Sequence, residues 1–212
     1  MTVFTEGRHA VEGLMSEAAG QRSRDAVTIL SGAGVLKPGT VLGCIIKGAG
    51  TAAAKAGGNT GDASISAVTL GAGAKVGVYM VRHTAATKFD VFDPDGFKIK
   101  SGSTGVAYAD DLGFTITAGS TPMVADDGFD ITVAPGSKRY VASPATGSDG
   151  SEVAAAILMY EVDATSADAE VAAITRDAEW NVNTLAYAAS VDDADKRAAK
   201  HVQLAAVGII VR

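Results

Sequence analysis

The sequence predicts a mainly β protein with a minor helical part. It reads as a small β-rich domain with a C-terminal helix, into which a β-sandwich or barrel-like domain is inserted. Three observations carry this expectation. The stretch Arg24–Gly43, RDAVTILSGAGVLKPGTVLG, sets β-branched residues around a Gly-rich turn and a Pro-Gly turn. A candidate partner strand, Lys138–Ala142, follows only about ninety residues later. Short alternating runs separated by turn clusters fill the interval 48–137.

Taken in order, residues 1–25 form a polar arm whose large apolar residues are Phe4, Val11, Leu14 and Met15. Ala10–Ala19 has the length of two helical turns, marginal for an isolated helix. The arm reads either as a frayed terminus or as a docking segment that gains order on a partner. The segments 26–47 and 138–212 make the parent domain. In its first half, Val27, Ile29, Val35, Val41 and Ile45 suit a half-buried pleated surface. Pro38-Gly39 fits a type II turn.

Thr51–Gly58 is small and linker-like. Within 48–137 the candidate strands are Ile65–Leu70, Val78–His83, Lys88–Phe92, Gly105–Tyr108, Phe114–Ala118 and Phe129–Val133. Gly71-Ala72-Gly73, Asp93–Gly96, Ser101-Gly102-Ser103, Gly119-Ser120 and Asp126–Gly128 read as turns between them. Phe114, Ile116 and Ala118 alternate with threonines, and Phe129, Ile131 and Val133 alternate with Asp130 and Thr132. That period of two marks strands with one buried face.

Past Pro144–Ser151, a loop, Val153–Val162 is continuous and apolar, as in a strand buried on both faces. Glu170–Asp177 gives another strand. Ser190 or Asp192 is placed to cap a helix over Asp193–Val207, with Ala194, Ala198, Val202 and Ala205 on one face. Gly208 ends that helix and Ile209–Val211 reads as a last strand.

Composition narrows the function classes. The 212 residues are 47% hydrophobic but only 6% aromatic, so the core is built of small side chains and a monomer would be marginal. That points toward an oligomer. A net charge of -6 with no basic patch argues against nucleic-acid binding. The single Cys44 excludes an intrachain disulfide and reads as a small core residue made in a reducing cytosol. No signal peptide or long apolar span is legible, which argues against secretion by the general route and against a membrane location.

Chemistry is missing from the pattern. His9, His83 and His201 lie on the arm, an inserted strand and the helix, without an acid–base motif around any of them. No catalytic, metal or cofactor residues are assigned. Gly71-Ala72-Gly73 lacks the following helix and Lys-Ser/Thr pair of a phosphate loop. Asp93–Gly96 and Asp126–Gly128 lack the acidic spacing of a calcium loop and read as hairpin turns. Trp180, the one tryptophan, reads as a packing or interface anchor.

The segments FTEGRH with LMSEAAGQRSRDAVTILSGAGVLKPGTVLG, then AAAILMYEVDAT, AITRDAEWN and DADKRAAKHVQLAAVGIIVR run colinearly over 4–47 and 138–212. Together they resemble the head decoration proteins of tailed bacteriophages, the capsid-stabilising family typified by the lambda decoration protein. The insertion departs from the compact lambda-type pattern. The resemblance implies a virion protein made in the host cytoplasm. It implies a homotrimer seated on the outer capsid surface at local three-fold positions. There it would cement the major capsid protein lattice against packaged DNA, with no catalytic site, no nucleic-acid or membrane partner and no cofactor. By the same resemblance the arm reaches the capsid through Thr2–Glu17. Arg8, His9 and Glu12 would be its polar contacts and Phe4, Leu14 and Met15 its anchors. The trimer interface is expected around Ile157, Met159 and Trp180. The alternative is a host-attachment or carbohydrate-binding module displayed through the insert, with Tyr79, Phe92, Phe97 or Tyr108 as sugar platforms.

Overall fold

A computed structural model of the chain describes residues 6–212. It divides into two compact units, one formed by the segments up to Ile46 and from Lys138, the other by Lys47–Ser137. The strands, in chain order, begin with β1 (Leu14–Glu17), β2 (Arg24–Ile29), β3 (Gly34–Leu36) and β4 (Val41–Cys44). The second unit carries β5 (Lys47–Ala54), β6 (Ser64–Ile65), β7 (Thr69–Leu70), β8 (Gly77–Ala85) and β9 (Lys88–Phe92). It continues with β10 (Lys98–Ser103), β11 (Ala107–Ala109), β12 (Leu112–Thr117) and β13 (Gly128–Pro135). The first unit then resumes with β14 (Tyr140–Ala142), β15 (Ala154–Leu158), β16 (Val162–Ala164), β17 (Ala169–Ile174) and β18 (Ala178–Trp180). It ends with helix α1 (Ala194–Ala206) and β19 (Ile209–Val211). The fold is mainly β with a C-terminal α-helix.

The first unit is organised around a closed barrel in the order β14-β2-β17-β15-β4. β2 and β4, the first and last of the three strands in the Arg24–Gly43 stretch, are not neighbours. β14 lies between them, parallel to β2 at Tyr140↔Ile29 and antiparallel to β4 at Val141↔Gly43. The turn that joins the stretch is as expected: Thr40 N–H donates to Lys37 O at 3.2 Å, and Gly39 sits at φ 81° where type II geometry needs glycine. The barrel strands are two-sided, which explains the unbroken apolar run in β15. Ala156 and Leu158 join Val27, Ile29, Leu42 and Ala173 in one cluster. Ile157 joins Val41, Ile174, Trp180, Leu204 and Ile209 in another. The run Val153–Val162 is broken after Leu158, however, and Val162–Ala164 forms β16, which pairs with β3.

α1 is capped by Asp193, whose carboxylate accepts the Lys196 N–H at 2.8 Å, rather than by Ser190 or Asp192. The face expected to be buried is exposed: Ala194, Ala198, Val202 and Ala205 all meet solvent. The helix instead buries Lys200 and Leu204. The Lys200 ammonium donates to Ser143 Oγ at 2.9 Å, Pro144 O at 2.6 Å and Glu152 O. Its charge is hydrogen-bonded by the 143–152 loop, which is what makes its burial tolerable. Burial lowers the Lys200 pKa from its ordinary value.

The second unit is an all-antiparallel pair of sheets, β10-β9-β8-β13-β5 and β11-β12-β6 with β7 on β12. Their facing sides share one core that includes Tyr79, Val81, Phe89, Phe114, Ile116, Phe129 and Ile131. The alternating runs Phe114-Ile116 and Phe129-Ile131-Val133 point inward as their period predicts. Three expectations are corrected. The Thr51–Ala54 part of the supposed linker is strand, because Thr51–Ala54 pairs residue for residue with Phe129–Thr132. Ser101-Gly102-Ser103 is strand rather than turn, and a Cβ at Gly102 would lie 2.3 Å from the Phe89 ring. Ile65–Leu70 is two short strands, each pairing with β12.

Candidate functional site

The arm is the first candidate surface, and the structure places most of it against its own chain. Residues 14–17 form an edge strand antiparallel to β18, with a bulge between Leu14 and Ser16, instead of the helical turns that Ala10–Ala19 suggested. β18 in turn pairs in parallel with β19. Val11, a β-branched residue at φ 59°, donates its N–H to Met159 O at 3.0 Å and accepts that of Leu14 at 3.0 Å. Gly13 O accepts the Asn181 N–H at 2.8 Å. The arm is thus ordered on its own unit, not solely by a partner.

The six arm residues implied by the resemblance fall into different settings. Phe4 lies outside the described residues. Arg8 Nη1 donates to Thr184 O at 2.6 Å. His9 Nε2 lies 3.1 Å from Glu6 Oε1, and its backbone N–H donates to Glu12 Oε2 at 3.0 Å, so His9 and Glu12 form one exposed cluster. Leu14 packs into the cluster around Trp180 and is not a free anchor. Met15, at the bulge, is 58% exposed and remains available. Glu6, Gly7 and Arg8 face Lys37, Pro38 and Glu161 across an open cleft of about 370 Å³. At the far end of the arm, Glu17 accepts from Ser23 Oγ at 2.7 Å and Arg24 Nε at 2.8 Å. The Arg24 hydrogen bond, ahead of Ser23, holds the Glu17 carboxyl below its usual range.

The residues expected at the trimer interface are buried within their own chain. Ile157 and Met159 are 0% exposed and Trp180 1% within one chain, all in the cluster beneath β18, β19 and α1. Trp180 is an anchor as expected, but for the chain's own arm. The exposed apolar residues of the unit lie elsewhere, among them Met15, Val35, Val153, Tyr160, Val202 and Ile210.

On the second unit, Tyr79 and Tyr108 are core residues and cannot serve as sugar platforms. Tyr79 Oη accepts the Lys75 N–H at 2.6 Å, and the Tyr108 ring stacks on Phe114 at 4.9 Å. Phe97 is exposed and Phe92 partly so. The two acidic turns are satisfied internally. Lys75 Nζ bridges Asp93 at 2.7 Å and Asp95 at 2.6 Å. Asp127 accepts backbone N–H groups from Thr60, Gly61 and Val124, each at 2.9 Å. Those bonds, Val124 first, hold its pKa down to about 2. Among the described residues no cluster of metal-ligating side chains is assembled.

The chain is a two-unit β protein with an edge-strand arm and acidic turns whose carboxylates are bonded internally. The family model of the bacteriophage lambda head decoration protein D matches residues 3–209, nearly the whole chain, and the chain belongs to that family. Its role is accordingly structural, the decoration of a phage capsid, and its place is the virion. No curated protein sequence matches it. Among solved structures it is similar to FlgL of Xanthomonas campestris in two crystal forms. These match at 21% and 23% identity, each with a TM-score of 0.34, and cover 46% and 43% of this chain and 33% and 31% of FlgL. FlgK, the flagellar hook junction protein of Burkholderia pseudomallei, matches at 21% identity and a TM-score of 0.33, over 57% of this chain and 21% of FlgK. The chain spans about a third or less of those proteins.

Proposed function

We propose that the chain binds the outer surface of the mature capsid as a homotrimer at local three-fold positions and cements the major capsid protein lattice against internal DNA pressure. The observation that carries this reading is the match to the decoration family over residues 3–209. The arm supports it. Among the described residues β1 ends its sheet, which leaves one side of its backbone for strand addition, and Met15 stands exposed at its bulge. Strand addition binds through backbone hydrogen bonds and tolerates the polar sequence of the arm. Three arms on one trimer add avidity of about 10²–10⁴ over a single contact. Binding only the expanded lattice stabilises that lattice by mass action.

The experiment compares two truncations on undecorated expanded capsids. Removal of residues 2–7 spares the hydrogen bonds of Arg8, Val11 and Gly13 to the rest of their unit. It leaves the free protein as stable as before and lowers occupancy and capsid thermal stabilisation. Removal of residues 2–17 also strips the neighbour from β18 and lowers both stability and binding. Full occupancy and undiminished capsid stabilisation by both truncated forms contradict a role for the arm.

A further inference from the structure

The groove at the start of α1 carries chemistry that neither the fold nor the capsid reading uses. It holds about 370 Å³ and is lined by Val182, Asn183, Leu185, Tyr187, Arg197 and His201. The Arg197 guanidinium lies over the Tyr187 ring, 5.5 Å from its centroid. Tyr187 Oη lies 2.7 Å from His201 Nε2. Of the three acids before Arg197 in sequence, Asp192 and Asp193 are engaged by Lys196, and Asp195 lies two residues back, about 200° around the helix. Among the described residues Arg197 makes no close ion pair; Asp192, whose carboxylate it favours at longer range, is bonded to Lys196. Burial holds the His201 imidazole below its ordinary pKa, so near neutral pH the positive charge of the groove is that of Arg197.

We propose that this groove receives a carboxylate side chain from an acidic segment of another polypeptide, whose flanking apolar residues lie along the exposed Ala198–Val202–Ala205 stripe. Charge complementarity selects the ligand. A guanidinium pairs best with a planar carboxylate, through two parallel N–H donors. With His201 Nε2–H donating to Tyr187 Oη, the phenol O–H is free to donate to the same carboxylate. The apolar surroundings favour a polypeptide over a free anion. Val182 and Leu185 form the groove wall. Ala198 and Val202 follow Arg197 and His201 by one residue each, which sets the stripe about 100° further around the helix. Val202 is 71% exposed, and no element among the described residues covers that face. The proposal does not rest on capsid binding by the arm, and truncating residues 2–7 leaves the groove intact.

The test uses the full chain and follows the His201 imidazole Hε1 resonance by NMR. The probes are an acetylated, amidated Ala-Val-Glu-Leu-Ala peptide, its Gln counterpart and sodium acetate. The Glu peptide is expected to move the resonance saturably and to raise the histidine titration midpoint, because a bound carboxylate favours the imidazolium. The Gln peptide and the Arg197→Gln variant should each bind at least about tenfold more weakly, through loss of the charge-assisted guanidinium–carboxylate pair. Tyr187→Phe should uncouple the histidine shift from binding, and Val202→Ser should weaken the peptide without altering acetate. Arg197 and Val202 are exposed, so their variants keep the fold. Equal response to the Glu and Gln peptides, no response to either, or an unaffected Arg197→Gln variant overturns the proposal. Acetate binding as tightly as the Glu peptide also overturns it, by making the groove a small-anion site.

Discussion

The backbone of Gly13 packs directly against the indole of Trp180. A Cβ at Gly13 would stand 2.3 Å from Trp180 Nε1 and 2.0 Å from Thr184 Oγ1. The arm is therefore keyed to its own unit at a position where only glycine fits. Gly13→Ala is expected to cost about 1–3 kcal/mol through overpacking. Urea denaturation that follows Trp180 fluorescence measures it. An unchanged midpoint would mean that the arm does not rest on Trp180.

The buried Lys200 ammonium ties α1 to the 143–152 loop through Ser143, Pro144 and Glu152. Lys200→Met removes the donor and leaves those oxygens unsatisfied, at about 1–3 kcal/mol for a buried group. Thermal unfolding should show the loss, and amide exchange in the 143–152 loop should rise. Wild-type stability in Lys200→Met would show that the loop holds without the ammonium.

In the second unit, Asp127 has a folded-state pKa of about 2, below the usual carboxylate value of about 3.9. A depressed folded pKa contributes stability that is complete above the unfolded value and lost as pH falls through the folded one. The Lys47–Ser137 unit should therefore lose stability between about pH 4 and pH 2. Asp127→Asn should be less stable at neutral pH and flatter across that window. A wild-type acid profile in Asp127→Asn would assign the acid sensitivity to other carboxylates.

Backbone hydrogen bonds join the two ends of the parent chain where the insert leaves it. Lys138 N–H donates to Ile45 O and Ile45 N–H to Arg139 O, each at 2.9 Å. Replacing residues 47–137 by Asn-Gly should close β4 and β14 into a tight hairpin, because that dipeptide supplies the left-handed turn angles. The shortened protein is expected to fold, by circular dichroism and thermal melting, and to keep its capsid occupancy. A folded deletion protein that no longer binds capsids would place the insert in the binding surface.

Legibility in the sequence followed how far each residue's role was set by its neighbours in the chain. Phe129, Ile131 and Val133 were readable because strand period and burial agree locally. The turn at Pro38-Gly39 was readable because its backbone angles demand those residues. Lys47–Ala54 was not, since its Gly and Ala carry little strand propensity and its state is set by pairing with β13. The helix face was misread for a related reason. A period of four placed Ala198 and Val202 together correctly, but hydrophobicity could not reveal that a lysine would be buried against loop oxygens instead. Trp180 was legible as an anchor, yet nothing local says that its cover is Gly13 of the same chain rather than another subunit. The sequence likewise held Tyr187, Arg197 and His201 in plain view. The four-residue spacing of Arg197 and His201 was the only signal of their groove, and the approach of Tyr187 belongs to the fold.

Capsid decoration in threes is the central claim, and an image of the assembly tests it most directly. Purified protein is added to undecorated expanded capsids of the phage that encodes it, and the particles are imaged by cryo-electron microscopy. The account predicts added density in groups of three copies on the outer surface at local three-fold positions, with the arms reaching onto the surrounding capsid subunits. Capsids that remain bare, or density that is single, internal or away from the three-fold positions, would contradict it.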